Sequence, residues 1–380
     1  MSLVEQRSSP VGTAAGARKV LPSARRPLTA APGRGAGVRR RFGLLLLLAG
    51  VLLVALFASL SVGARAIPLP EVLGTLGHVF TGTTDAASSA NGDEAVILSR
   101  LPRTVLAVLA GAALGLAGVV MQGVTRNPLA DPGILGINAG AACAVVFGIQ
   151  FLGLSSVGAY LWVAFLGAAV AMVLVYVLAS LAARAQGGSG PTPLSLALAG
   201  AALSAGLYSL ISMALVTRQD TLDRFRFWQL GSVAAREWDA LLPAVPFLVV
   251  GGLLAFALAR PLDALAMGDD AARGLGQKVG LTRVVAGVAV MLLCGSATGI
   301  AGPIGFVGLV VPHALRPFTG PDHRWLLAAT VLAAPALVLV ADIVGRVVML
   351  PGEIPAGVLT ALIGAPVFIL LLRKGKGVGV

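Results

Sequence analysis

With 380 residues, 57% of them hydrophobic and only 12% charged, and a mean hydropathy of +0.92, the chain is far too apolar for a soluble domain, in which about a quarter of residues carry charge. The net charge of +12 does not point to nucleic acid, because it is unevenly spread. The first 41 residues hold nine Arg/Lys against one acid, Glu5, a balance that keeps a tail in the cytoplasm beside anionic lipid and leaves the rest as an all-α, polytopic membrane protein.

Residues 1–41 are rich in Ala, Gly, Pro, Ser and Arg with no apolar period, and read as a disordered cytoplasmic tail. Arg25-Arg26, Arg39-Arg40-Arg41 and the small-residue site Ala64-Arg65-Ala66 invite a targeting reading. The apolar run Phe42–Val62 outlasts the roughly 15 residues of a signal core and is long enough to cross a bilayer, so it is retained as span 1. A mixed loop follows over 63–99. Its segment Ile67–Phe80 has helical apolar spacing at Leu69, Val72, Leu73 and Leu76, as an amphipathic helix at the outer interface would. Span 2 is Leu101–Val124. A polar break, TRNPLADP, precedes span 3 at Gly133–Leu152. Span 4 is Leu161–Leu181. A Gly/Pro/Ser-rich turn, Gly187–Pro193, leads to span 5 at Leu194–Val216.

The connection Thr217–Asp239 is polar, and its Trp228 and Trp238 suit an interfacial aromatic belt. Span 6 is Leu241–Leu258, a polar loop covers Arg260–Arg283, and span 7 is Val284–Ala301. The stretch Thr298–Arg324 is broken at Gly302, Pro303, Gly305, Gly308 and Pro312, holds a short span 8, and ends in His313, Arg316, Asp322, His323 and Arg324. Backbone interrupted in this way is tolerated in a membrane only where protein buries it or it lines a cavity. The same glycines would also serve close helix packing. Span 9 is Trp325–Met349 and span 10 is Ile354–Leu372, giving a membrane domain of 42–374 and a short tail, 375–380. Ten spans place both termini in the cytoplasm, loops 63–100 and 217–240 outside, and loops 125–132, 184–193, 260–283 and 316–324 inside.

A weak internal repeat runs through this order. Arg103 followed by LGLAG at Leu114–Gly118 echoes Arg283 followed by TGIAG at Thr298–Gly302. A proline break follows each, at Asn127-Pro128 and Pro312-His313, and the two copies would be inverted. Inverted, Gly/Pro-interrupted repeats belong to transporters, although an Ala/Gly/Leu-rich chain also produces short echoes by chance.

Nothing in the sequence supplies an enzyme. It has no P-loop, no HExxH motif and no cysteine cluster, so no catalytic residue, resident metal or cofactor is expected. Cys143 and Cys294 lie in apolar runs as buried small residues, and the histidines are only His78, His313 and His323. Asp342 is the one acid inside a span. It offers an alternative reading as the relay of a proton-coupled secondary transporter, against which Arg346, one helical turn on, would neutralise it.

Three long motifs stand in series: RLPRTVLAVLAGAALGLAGVVMQGVTRNPLADP at Arg100–Pro132, AGPIGFVGLVVPHALR followed by GPDHR, and ADIVGRVVMLPGEIPAGVLTALIGAPV at Ala341–Val367. In this order they resemble the FecCD-type permease subunits of ABC importers for ferric siderophores, haem and cobalamin, over roughly Phe42 to Lys374. The resemblance implies a non-catalytic homodimer in the cell membrane, powered by a separate ATP-binding cassette ATPase and fed by a substrate-binding protein. It implies that Arg100, Arg103 and Arg346 receive acids of the binding protein. It likewise implies that Gly274, Leu275 and Gly276 form the bend of a coupling loop, 260–283, docked into the ATPase. Spans 5 and 10 would line the pathway, with Ser204, Ser209, Ser212, Thr360 and Gly364 as a wide, weakly polar wall, a role these small residues share with ordinary helix packing. The choice among chelates belongs to the binding protein, a separate chain.

Overall fold

The computed structural model describes residues 34–82, 92–185, 187, 190–234 and 238–375. The chain divides into a first unit, Met1–Arg39, of which the opening turns of α1 are described, and a second, Arg40–Val380. Of the disordered tail expected at residues 1–41, residues 1–33 lie outside the described residues, as does the end of the C-terminal tail, whereas 34–41 are helical rather than disordered.

The described residues form helices and no strands. In chain order they are α1 (Arg34–Ser61), α2 (Leu69–Thr81), α3 (Gly92–Thr125), α4 (Ile137–Leu152), α5 (Val157–Ala185), α6 (Pro193–Thr217), α7 (Gln219–Gln229), α8 (Trp238–Leu241), α9 (Val245–Ala257), α10 (Ala259–Ala266), α11 (Asp269–Gly274), α12 (Val279–Ala301), α13 (Val307–Thr319), α14 (His323–Val348) and α15 (Ala356–Gly375). Seven segments are long and apolar enough to cross a membrane: α1, α3, α5, α6, the α8–α9 run, α12 and α14. The other three expected spans are the shorter helices α4, α13 and α15. At 1.5 Å per residue, the 13 residues of α13 reach only about 20 Å. A hydrocarbon core is about 30 Å thick.

Two helix starts differ by eight residues or more from the sequence reading, and the other starts by five or fewer. Helix α1 starts at Arg34, eight residues before the apolar run, its added turns holding four arginines, Arg34, Arg39, Arg40 and Arg41, which are good helix formers. Helix α3 starts at Gly92, with Asp93 and Glu94 in its first turn, where acids favour the positive end of the helix dipole. The amphipathic α2 stands where expected. In the polar connection a further helix, α7, packs Trp228 inward on Phe225 at a ring separation of 5.9 Å. Trp228 is therefore a core residue rather than a belt residue, and Trp238 alone of the two is exposed.

Helices α3, α12 and α14 make the centre. In the most apolar stretch of α3 72% of residues are buried, against 11% in α6. Small residues make this packing close. Gly111 of α3 lies against the backbone of Pro335 in α14. Gly118 of α3 and Gly308 of α13 meet backbone to backbone, so a Cβ on either would collide with the other chain segment.

The polar break after span 2 is not a simple inner loop. Arg126, just past α3, meets Asp269 and lies at the Arg283 end of α12. Asn138, in the first turn of α4, accepts a hydrogen bond from Thr298 at 3.3 Å, fifteen residues farther along α12. Fifteen helical residues rise about 22 Å. The segment 126–136 therefore climbs into the bundle, turned by Asp131, whose carboxylate accepts the Gly133 N–H at 2.7 Å. Irregular backbone at that depth is sheltered by protein. Helix α12 is followed likewise by an irregular segment, with positive φ at Gly302 and Phe306, before the short α13. Two long helices, each followed by a break and a short helix, match the weak inverted repeat. The C-terminal end of α3 lies beside the N-terminal end of α12, so the two are antiparallel.

Candidate docking and coupling sites

One end of the bundle gathers charge from two helices and a turn, against the C-terminal end of α1. Arg103 of α3 holds both oxygens of Asp342 in α14, Nε at 3.1 Å from each and Nη2 at 2.7 Å from Oδ1. Arg346, one turn beyond, donates to Asp342 Oδ2 at 2.6 Å. It also donates to the carbonyl oxygens of Ser59 and Val62 and to the Ser59 hydroxyl. Arg100 donates to the carbonyls of Leu60 and Arg65 at 2.6 and 2.7 Å. Arg100 and Arg346 thus close the C-terminal end of α1, where the last carbonyls lack helical partners and a cation is favoured. Arg100 is 9% exposed and Arg346 3%.

The three arginines are brought together as expected, but two of their three charges are met by carboxylates of the chain itself. Glu353, in the turn between α14 and α15, supplies a second carboxylate, with Oε1 at 3.2 Å from Arg103 Nη1 and Oε2 at 2.8 Å from Nη2. Its side chain is 42% exposed and that of Arg103 13%. The sequence alone did not show Glu353. It stands 250 residues from its partner, and only the PGEIP turn beside span 10 marked the spot. Asp342, gripped by two guanidiniums, has no free oxygen edge for relaying protons.

The opposite end carries the loop between α9 and α12. It forms two short helices, α10 and α11, parted at Gly268. The expected bend lies after α11: Gly276 takes φ +78, its N–H donates to Arg273 O at 2.9 Å, and Gln277 N–H donates to Ala272 O at 2.9 Å. That pairing is a Schellman close, which glycine enters without strain. Gly274 ends α11 itself, and Leu275 is 61% exposed with no apolar cover. Asp269 ties this loop to the bundle through Arg126 and Arg283. Asp263 of α10 does so through one oxygen, which accepts the His323 backbone N–H at 3.0 Å and lies 2.6 Å from His323 Nδ1. Beside it Arg316 donates to Gln122 Oε1, and Gln122 donates to Gly308 O, across the α3–α13 crossing. Among the described residues no three His, Cys, Asp or Glu converge as a metal site.

Comparison with known proteins meets this geometry. The model of the FecCD transport family matches residues 51–374. The chain belongs to the FecCD transport family. It is 46% identical over 333 residues to the ferric enterobactin transport system permease protein FepD of Escherichia coli (strain K12), covering 87% of this chain and 94% of that one. It is 38% identical to the iron(3+)-hydroxamate import system permease protein FhuB of Bacillus subtilis (strain 168), over 89% and 85% of the two chains. A solved structure described as an inward-facing metal-chelate type ABC transporter superposes with a TM-score of 0.73 at 30% identity, over 89% of this chain and 99% of that one. The chain is therefore a multi-pass ABC permease, a transport subunit and not an enzyme.

Within this FecCD permease the expected wall residues divide. Ser209 and Ser212 lie on the open side of α6, their hydroxyls donating one turn back to Ala205 O and Tyr208 O. Ser204 is half-buried against Gly136. Thr360 is 1% exposed and donates to Gly357 O, and Gly364 is covered by the Phe306 ring. Thr360 and Gly364 therefore face into their own subunit, because the Phe306 end of α13 packs there. The open face of α15 is instead Val358, Leu362 and Ile369.

Proposed function

We propose that this permease imports a ferric siderophore, or a chelate of similar build, as a homodimer with both termini in the cytoplasm. A separate ATPase binds the loop 260–283, and an extracytoplasmic binding protein docks at the arginine end. The observation that carries the substrate class is the 46% identity to a ferric enterobactin permease across 87% of the chain. The two ends support the roles: one gathers guanidiniums, which suit carboxylate capture, and the other presents two short, glycine-parted helices with an exposed Leu275. Docking through the arginines involves exchange of internal partners, with Arg103 the most accessible of the three. Ser209 and Ser212 remain the wall residues proposed to face the pathway.

The decisive experiment measures uptake of radiolabelled ferric siderophore in cells lacking their own permease. Uptake should follow ATP and survive an uncoupler while ATP is held constant. Uptake that collapses with the proton gradient at constant ATP would overturn the reading in favour of proton coupling.

A further inference from the structure

Glu353 differs from every other member of the ion network in its solvent contact. Asp342 is sealed between Arg103 and Arg346, at 3% side-chain exposure, and removing it would strand two buried cations. Glu353 bonds the same Arg103 with both oxygens but stands 42% exposed. An exposed ion pair contributes little, so this carboxylate is exchangeable where Asp342 is not. With Glu353 in place the cluster holds three cations against two carboxylates, and without it three against one.

The turn that carries Glu353 is pinned by backbone on both sides. Ile354 N–H donates to Gly345 O in α14 at 3.0 Å, and Gly357 N–H, in the first turn of α15, donates to Gly231 O at 2.9 Å. The turn is therefore fixed by its backbone close to Arg103, and from it the Glu353 side chain reaches Arg103 with both oxygens. Of the two carboxylates that meet Arg103, Glu353 is the one in contact with solvent.

The geometry points to Glu353 as a built-in competitor, a carboxylate that occupies the open edge of Arg103 until an acidic side chain of the docking protein replaces it. This rests on the docking reading above and adds which contact is exchanged. The exchange swaps one carboxylate for another, so Arg103 is never left uncompensated. Repulsion between the two acids during the swap slows association and selects a partner whose carboxylate arrives with further contacts.

The test uses the transporter reassembled with its ATPase in lipid nanodiscs, titrated with its labelled cognate binding protein at low salt. Glu353→Gln should bind about two- to five-fold more tightly than the parent, the range an exposed pair is worth, and should associate faster. Glu353→Ala should do the same, and Glu353→Asp should bind as the parent does. Thermal unfolding of each variant checks the fold. If Arg103→Gln weakens binding but neither Glu353→Gln nor Glu353→Ala tightens it, the competitor role is overturned and the docking reading stands. If Arg103→Gln leaves affinity unchanged, the docking reading itself falls, and Glu353 with it.

Discussion

Asp342 shows how much a single buried acid decides. From the sequence it was the one residue able to support proton coupling, and its neighbour Arg346 argued for neutralisation one turn away. The geometry adds Arg103, which takes both oxygens of the same carboxylate. The pair Asp342–Arg346 was legible because it is local. Arg103–Asp342 and Arg103–Glu353 were not, because 239 and 250 residues of chain separate the partners. Asp342→Asn removes the charge that compensates two largely buried guanidiniums. Breaking a buried pair in this way costs about 3–5 kcal/mol. The variant should therefore unfold at a clearly lower temperature, measured by fluorescence-detected thermal melting in detergent, while the uptake that remains stays insensitive to an uncoupler. A variant as stable as the parent, yet without gradient-driven uptake, would restore the proton-relay reading.

At the level of elements, runs of apolar residues located the seven described helices that are long and apolar enough to cross a membrane, because the bilayer imposes a length that sequence alone can satisfy. The same reasoning failed where polar, proline-rich sequence enters the bundle. Residues 125–132 read as an inner loop, and 126–129 are indeed exposed, yet Ala130 and Pro132 are buried where the chain enters the bundle, and nothing in the polar sequence marked that change. In the loop 260–283 glycine marked a real turn. Gly276 holds φ +78 with open space around its Cα, so substitution there changes backbone angle and not packing. Gly276→Val places a β-branched residue in left-handed conformation, a strain of about 1–3 kcal/mol. The bundle should stay folded and inserted, melting only a few degrees below the parent, while ATPase co-purification and uptake both fall. Normal co-purification with normal uptake would remove this loop from energy coupling.

On the scale of the whole molecule, the helices divide into a sealed centre and an open rim, and α6 is the most exposed of the long helices, with 11% of its apolar stretch buried. Two surroundings suit an open apolar helix, lipid and a second subunit, and composition separates them. The open side of α5 carries large residues, Trp162, Leu166, Val170 and Val173, as a lipid-facing surface does. The open side of α6 carries large residues toward its ends, Leu194, Leu198, Met213 and Val216, but its middle is mostly small: Ala201, Ala202, Ala205, Gly206, Ser209 and Ser212. Small residues and hydroxyls gain nothing from lipid tails, but they allow close approach of another helix or leave room for a solute. A large side chain should therefore be tolerated on α5 and not on α6. Ala205→Trp should stop siderophore uptake, through a blocked pathway or a displaced subunit, and native mass spectrometry of the purified complex separates those two causes. Val170→Trp, on a position 57% exposed, should transport as the parent does. Full uptake by Ala205→Trp would place the open face of α6 against lipid and move the pathway elsewhere in the assembly.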